Sequence, residues 1–359
     1  ATTKSTTSTT KSTTKPTTAT TKSTTSTTKS TTKTTTATTK STTSTTKPTQ
    51  PNGKIETVRL FGAGRCQTAA EISKATFSKT DNVVLASGDN YADALAGVPL
   101  AYKLNAPILL VQNHKLRAET LAEIQRLGAK NVYILGGPAA IGDKVKTQLD
   151  SKGYNVERIF GNDRFATSLE IAKKLQKLNG KPSEIFFACA QNYPDALAIS
   201  GVAASKGCPV VYVAKNGALN KDIAAFVKSS GAKKGIIVGG PAAIGEAAES
   251  NISKCGVASV SRLYGADRYA TCIKINETYK HVLTSDSICV ATGENFPDAL
   301  AGGVFAAKTR SPMVLVRGAL SAKHNSYLNG RDSNTIYVFG GPNAVSDNVV
   351  NAIVAELKK

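Results

Sequence analysis

From about residue 55 the chain sets short apolar runs between longer mixed stretches, always in the same order. Apolar runs fall at 58–61, 82–87, 107–111 and 132–135. Each is too short for a stable helix and rich in aliphatic side chains, as expected of strands covered on both faces. The stretches between them predict helices near 68–77, from the 90–93 turn through Leu104, around 118–127, and up to about Leu149. The order returns with strands at 158–160, 185–188, 209–213 and 235–238, and again at 262–264, 287–291, 313–316 and 335–339. Strands alternating with helices of about ten residues predict parallel βα units and a helix-covered sheet. The expected fold class is therefore α/β, with three tandem parallel-sheet modules at 55–152, 153–257 and 258–359. Each module is expected to start with its own first strand. The connections between modules are a few residues long, so the three should form one assembly.

A repeated motif marks the modules. Asn90-Tyr91-Ala92-Asp93-Ala94-Leu95 returns as Asn192-Tyr193-Pro194-Asp195-Ala196-Leu197 and as Asn295-Phe296-Pro297-Asp298-Ala299-Leu300, at Asp-to-Asp intervals of 102 and 103 residues. That spacing suits complete small domains and is too long for a solenoid repeat. A second motif, Gly161-Asn162-Asp163-Arg164 with Thr167, recurs as Gly265-Ala266-Asp267-Arg268 with Thr271. The first module has Gly62-Ala63-Gly64-Arg65 with Thr68, Gly standing for Asp. A third is Gly136-Gly137-Pro138, matched by Gly239-Gly240-Pro241 and Gly340-Gly341-Pro342. All three follow a strand and precede a helix.

Two accounts fit these motifs. Asp93, Asp195 and Asp298 suit helix first turns, the prolines suit a first helical position, and the paired glycines allow tight turns. Alternatively, motifs gathered outside the carboxyl ends of parallel strands form a binding crevice. There Arg65, Arg164 and Arg268 either bind a phosphate or carboxylate group or pair within their module with Asp93, Asp195 and Asp298.

Composition divides the chain. Of the net charge of +20, residues 1–50 contribute eight lysines and no acidic residue, which leaves +12 on residues 51–359. This Thr/Ser/Lys/Pro segment repeats Ala-Thr-Thr-Lys-Ser-Thr-Thr-Ser from Ala1, Ala19 and Ala37. It cannot bury enough apolar surface to offset its ordering entropy, so residues 1–54 are expected to be a disordered linker. A start without Met or a signal-like segment reads as a mature or truncated product, with room for a domain before residue 1. The dispersed positive charge fits an extended polyanion and carries no nucleic-acid-binding signature. No apolar run reaches the roughly 18 residues of a membrane span.

Catalytic signals are weak. No Gly-x-Gly-x-x-Gly or Walker-type loop follows the first strand, so no nucleotide cofactor is expected. His114, His281 and His324 occupy unrelated places in their modules and read as solvated surface residues. The six cysteines include no C-x-x-C pair, so no metal is expected, and Cys189 and Cys289 read as buried thiols.

Together, Asp-Arg-Phe-Ala-Thr at 163–167, Asn-Tyr-Pro-Asp-Ala-Leu at 192–197 and Gly-Gly-Pro-Ala-Ala-Ile at 239–244 resemble the cell wall binding repeat 2 family. The resemblance covers residue 57 to the end. It implies three Rossmann-like or flavodoxin-like modules packed with pseudo-three-fold symmetry as an internal trimer within a monomer. It also implies a secreted, clostridial-type surface protein held non-covalently on an anionic secondary wall polymer or teichoic-acid-like polysaccharide. The family's Ile-Leu-Leu anchoring segment matches Ile108-Leu109-Leu110, which read from the residues alone as a buried strand. The candidate polymer contacts are thus Arg65, Arg164, Arg268, Asn90, Asn192, Asn295, Asp93, Asp195, Asp298 and Ile108-Leu109-Leu110. The rival expectations are an α/β enzyme acting on a nucleotide or sugar-phosphate, and the anchor part of a cell-wall hydrolase. A large pocket in one module would favour the enzyme, and similar grooves between modules the binder.

Overall fold

The computed structural model describes residues 54–359, so the expected disordered tail lies outside the described residues. The first repeat comprises β1 (Glu56–Leu60), α1 (Arg65–Thr76), β2 (Asn82–Ser87), α2 (Val98–Lys103), β3 (Ile108–Val111), α3 (Ala118–Leu127), β4 (Asn131–Leu135) and α4 (Asp143–Asp150). The second comprises β5 (Asn155–Ile159), α5 (Arg164–Asn179), β6 (Glu184–Cys189), α6 (Pro194–Ser205), β7 (Val210–Val213), α7 (Lys221–Ser230), β8 (Lys234–Val238) and α8 (Ala247–Ser253). The third comprises β9 (Ser259–Leu263), α9 (Arg268–Thr278), β10 (Ser287–Thr292), α10 (Pro297–Thr309), β11 (Met313–Val316), α11 (Ala322–Asn329), β12 (Thr335–Phe339) and α12 (Asp347–Leu357).

Three parallel four-stranded sheets result, in the orders β3-β2-β4-β5, β7-β6-β8-β9 and β11-β10-β12-β1. Each sheet therefore borrows its edge strand from the next repeat, and β1 closes the ring by pairing with β12, Val58 opposite Tyr337. Each repeat opens with its own strand as expected, but that strand pairs in the sheet of the repeat before it in the ring. The division at 55–152, 153–257 and 258–359 follows the repeats, and the sheets are offset from it by one strand. Local pattern marks 58–61 as a strand but says nothing about its partner, which only the closure of the ring supplies.

The middle of the molecule is helical. α2, α6 and α10 pack on one another, and α1, α5 and α9 each pack on the central helix of the preceding sheet. α6 and α10 are buried along most of their length, as their small apolar residues require. A side chain at Gly303 would bring a Cβ to 3.0 Å from Val98 Cγ1 and 3.2 Å from Ser200 Oγ. Glycine there lets the three helices close around the pseudo-three-fold axis. α2 is the short member because Pro99 has no N–H to donate, so a 3-10 turn at Leu95–Gly97 precedes it.

At the same axis Tyr91, Tyr193 and Phe296 form a triangle with ring centroids 5.3, 5.9 and 6.3 Å apart. The Tyr91 hydroxyl donates to the Gln191 carbonyl at 2.9 Å, which ties the first repeat to the second. Thus the aromatic position of the Asn-aromatic-x-Asp motif serves assembly. Cys189 and Cys289 are buried free thiols as expected. His324 is not a surface residue: it is buried, with Nδ1 accepting from the Ser321 N–H in a capping box and Nε2 at 2.9 Å from the Leu315 carbonyl. Spacing alone gave no sign of that cap.

Candidate functional site

From the two central strands of the first two sheets the chain runs to opposite edges, from β2 to β3 and from β4 to β5 in the first, and β1 takes the matching edge of the third; this opens a crevice between the central strands at the carboxyl ends of the strands. In the sheet closed by β1 this crevice is a groove of about 500 Å³. Its walls are Phe61, Arg65 and Thr68 of the first repeat, and Asn295, Asp298 and residues 341–344 of the third. Each groove is thus built by two repeats, the Gly-x-x-Arg motif of one meeting the Asn-x-x-Asp and Gly-Gly-Pro motifs of the one before it in the ring.

The arginines sit half-buried at the start of α1, α5 and α9 and reach into the next sheet. Arg164 donates to the Ala190 carbonyl at 2.9 Å and Arg268 to the Gly293 carbonyl at 2.7 Å, while Arg65 donates to the Gly88 carbonyl. Their charge acts on the aspartate of the other repeat in the groove, Arg164 on Asp93, Arg268 on Asp195 and Arg65 on Asp298. Pairing of these arginines with Asp93, Asp195 and Asp298 inside a module is not seen among the described residues: the electrostatic influence runs across repeats, and Arg65 lies 3.8 Å from Asp89 of its own module. Thr68, Thr167 and Thr271 accept from the N–H of Gly62, Gly161 and Gly265 at 3.1, 3.1 and 3.0 Å, which explains their fixed spacing.

The other candidates fall into two groups. Asn90, Asn192 and Asn295 are exposed, and each side-chain oxygen accepts a local backbone N–H at 3.0 Å. Their amide nitrogens are left as potential donors. Ile108, Leu109 and Leu110 form β3 and are at most 1% exposed, so the structure does not bring them to the groove or to any surface. As direct contacts they are withdrawn; burial within a sheet covered by helices is the reason.

Two repeated features escaped the sequence reading. Arg59, Arg158 and Arg262 lie on the opening strands, and each clamps the Gly-Gly-Pro turn of the strand beside it. Arg158 donates to the Gly136 and Ile141 carbonyls at 2.9 Å each, Arg262 to the Gly239 and Ile244 carbonyls at 2.9 and 2.7 Å, and Arg59 to those of Gly340 and Val345 at 2.9 Å each. A charged residue recurring one position before the strand's end was the available signal. The second feature is Phe61, Phe160 and Tyr264, which stand exposed directly after those strands.

Three segments of the chain, residues 59–146, 158–249 and 262–350, match the cell wall binding domain 2 (CWB2) family. The chain belongs to that family. CWB2 domains are binding modules, and the three tandem copies cover all three sheets. The chain is 31% identical over 296 residues to the N-acetylmuramoyl-L-alanine amidase LytC of Bacillus subtilis, covering 82% of this chain and 57% of that protein. It is 29% identical over 301 residues to the Amidase enhancer of Bacillus subtilis, covering 84% of this chain and 40% of that protein. The chain thus spans about half the length of these curated relatives. Among solved structures, Cwp6 from Clostridium difficile superposes with a TM-score of 0.79 at 29% identity, covering 85% of this chain and 48% of that one. Cwp8 from Clostridium difficile gives a TM-score of 0.77 at 29% identity, with 85% and 52% covered.

Electrostatically, the CWB2 grooves hold carboxylates out of water. Burial raises Asp93 above the usual carboxylate range against the opposing Thr167 and Arg164, raises Asp298 against Arg65, and pushes Asp195 up to about 6 against Arg268. The native state thus favours protonated Asp195. Its stabilising effect is complete below about pH 4 and is lost as pH rises through about 6. Asp195→Asn should therefore flatten the pH dependence of thermal unfolding between those limits, the unaltered chain losing ground to the variant as pH rises. Parallel profiles for the two proteins would contradict this.

The helix caps differ among CWB2 repeats in a way that predicts a gain. Asp163 and Asp267 each accept the N–H three residues on, at 2.7 Å, whereas Gly64 at the matching place gives α1 no side-chain cap. Gly64 has φ −159° and no atom within 4 Å of a built Cβ, so an aspartate fits there without strain. Gly64→Asp should raise stability by roughly 0.5 kcal/mol, a few tenths from the cap and the rest from the lost freedom of the unfolded chain, read as a higher midpoint in chemical denaturation.

Proposed function

We propose that the three CWB2 repeats hold a secreted protein non-covalently on a Gram-positive cell wall by binding an anionic wall polysaccharide. The observation that carries this reading is the groove between repeats, whose parts recur three times around one body. Asp93, Gly137, Phe160 and Arg164 stand together as Asp298, Gly341, Phe61 and Arg65 do, and Asp195, Gly240, Tyr264 and Arg268 follow the same plan. An enzyme would place one poised acid or base in one deep pocket, whereas a repeating polymer offers neighbouring epitopes to several modest sites. Three sites on one body multiply such binding through effective concentration. The arginines and the net positive charge of residues 51–359 supply the complement to a polyanion.

The kinship with an amidase and an amidase enhancer supports a second element of the proposal. The wall-binding repeats serve to keep an attached activity on its substrate, as the anchor part of a larger surface protein.

The test is sedimentation of the full chain with purified Gram-positive walls, intact or stripped of their secondary polymer by acid, across a salt series. Binding to intact walls alone, weakening as salt rises, is the expected result. Equal binding to stripped walls would move the ligand to peptidoglycan, and no binding at low salt would overturn the reading.

A further inference from the structure

Among the described residues, four large hydrophobic side chains are strongly exposed: Phe61 at 46%, Phe160 at 43%, Leu178 at 40% and Tyr264 at 49%. Three of the four occupy one place in the repeat, directly after the opening strand and directly before the glycine of the Gly-x-x-Arg motif. Isolated exposed apolar residues need no explanation, but the same position filled by an aromatic ring at every groove does.

The rings have a fixed seat. Phe61 packs on Gly341, Phe160 on Gly137 and Tyr264 on Gly240, where a built Cβ would lie 3.1, 3.1 and 3.0 Å from a ring carbon. The second glycine of each Gly-Gly-Pro turn thus makes room for a ring, which is backed by peptide and partly open to solvent. Such a ring has little freedom left to lose when a ligand covers it. About half of each ring stays open to water, so apolar surface that folding could have covered is left available at three equivalent sites.

The neighbours define the ligand's chemistry. In the groove beside Phe61 stand Arg65, Asn295 and Asp298. A flat apolar surface edged by a cation, an amide and a carboxyl group complements a pyranose ring, with its C–H face on the aromatic, hydroxyls at its perimeter and an acidic substituent toward the arginine. A polyanion without sugar rings would satisfy the arginine and leave the aromatic uncovered. We propose that Phe61, Phe160 and Tyr264 are the stacking platforms on which the three grooves each receive a sugar ring of the wall polysaccharide. This rests on the wall-polysaccharide reading above and adds the residues that distinguish a sugar from any other anion.

The test uses the full chain carrying Phe61→Ala, Phe160→Ala and Tyr264→Ala together, sedimented with intact Gram-positive walls beside the unaltered chain. Binding about tenfold weaker or more is expected at a temperature where the variant keeps the circular dichroism of the unaltered chain. The aromatic exchange Phe61→Tyr, Phe160→Tyr and Tyr264→Phe should keep full binding. Unaltered binding by the alanine variant overturns the platform and leaves wall binding standing, whereas failure of the unaltered chain to bind overturns both. A second readout does not depend on that variant's stability. The sequence has no tryptophan, so Phe160→Trp places a single reporter in one groove. Polysaccharide released from the walls by acid should change its emission, and polyglutamate at equal charge should not. No response to the polysaccharide, or the same response to polyglutamate, overturns the assignment.

Discussion

Removing residues 55–60 should destabilise the third sheet and spare the first. β1 pairs with β12 along five residues, from Glu56 opposite Thr335 to Leu60 opposite Phe339. Its end is also tied by the Gly340 N–H donating to the Leu60 carbonyl at 3.0 Å. The deletion removes that ladder together with the Arg59 clamp on the Gly340 and Val345 carbonyls and its ion pair with Asp347 at 2.8 Å. At roughly 1 kcal/mol per hydrogen bond the loss is on the order of 5 kcal/mol, placed some 280 residues away in sequence. Native-state hydrogen exchange reads the location directly. Amides of β12 and β10 should lose protection while those of β2 and β4 keep theirs, and a peptide spanning 54–62 should restore the loss. Loss confined to β2–β4 would contradict the ring closure.

The second large effect is expected at the first glycine of the Gly-Gly-Pro turns. Gly239 has φ +117°, and a Cβ there would lie 2.5 Å from Asp195 Oδ2 and 3.3 Å from the Ala243 Cβ. Gly136 and Gly340 repeat this geometry at φ +103° and +104°, with Asp93 and Asp298 at 2.7 and 2.5 Å. Gly239→Ala combines an unfavourable backbone with a collision against a half-buried carboxylate, so it should cost about 3 kcal/mol or more in chemical denaturation. Adding Asp195→Ala should return part of that loss, since it removes the collision and leaves the strained backbone. Full additivity of the two changes would show that the close approach is not the cause. The contrast with Gly64, where a side chain is predicted to stabilise, separates a glycine needed for its conformation from one that is not.

These effects show where sequence reasoning reached and where it stopped. The elements were legible because their causes are local. Apolar runs such as 82–87 and 108–111 can only be covered strands, Pro194 and Pro297 sit at helix starts, and Asp163 and Asp267 cap α5 and α9 through bonds spanning three residues. The three motifs were legible as a site for a related reason: each follows a strand, and parallel strands deliver their carboxyl ends to one edge. Burial of Ile108-Leu109-Leu110 was equally plain from three consecutive aliphatic residues, and the structure sides with that reading over a surface contact.

What stayed hidden was always a partner far along the chain. Arg65 and Asp298 face one groove although 233 residues of sequence separate their positions, and nothing near either one names the other. Tyr91, Tyr193 and Phe296 read as ordinary motif positions until the axis brings their rings within 6.3 Å. His324 reads as solvated until the Leu315 carbonyl and Ser321 surround it. The sequence by itself determined that there are three α/β repeats, where their strands and helices lie, and which motifs crowd the strands' ends, because spacing, caps and turn residues act over a few residues. Only the tertiary structure decided that each sheet takes its edge strand from the next repeat and that each groove therefore belongs to two repeats. That choice depends on which exposed sheet edge lies nearest once the central helices have packed, a property of the closed ring and of no single segment.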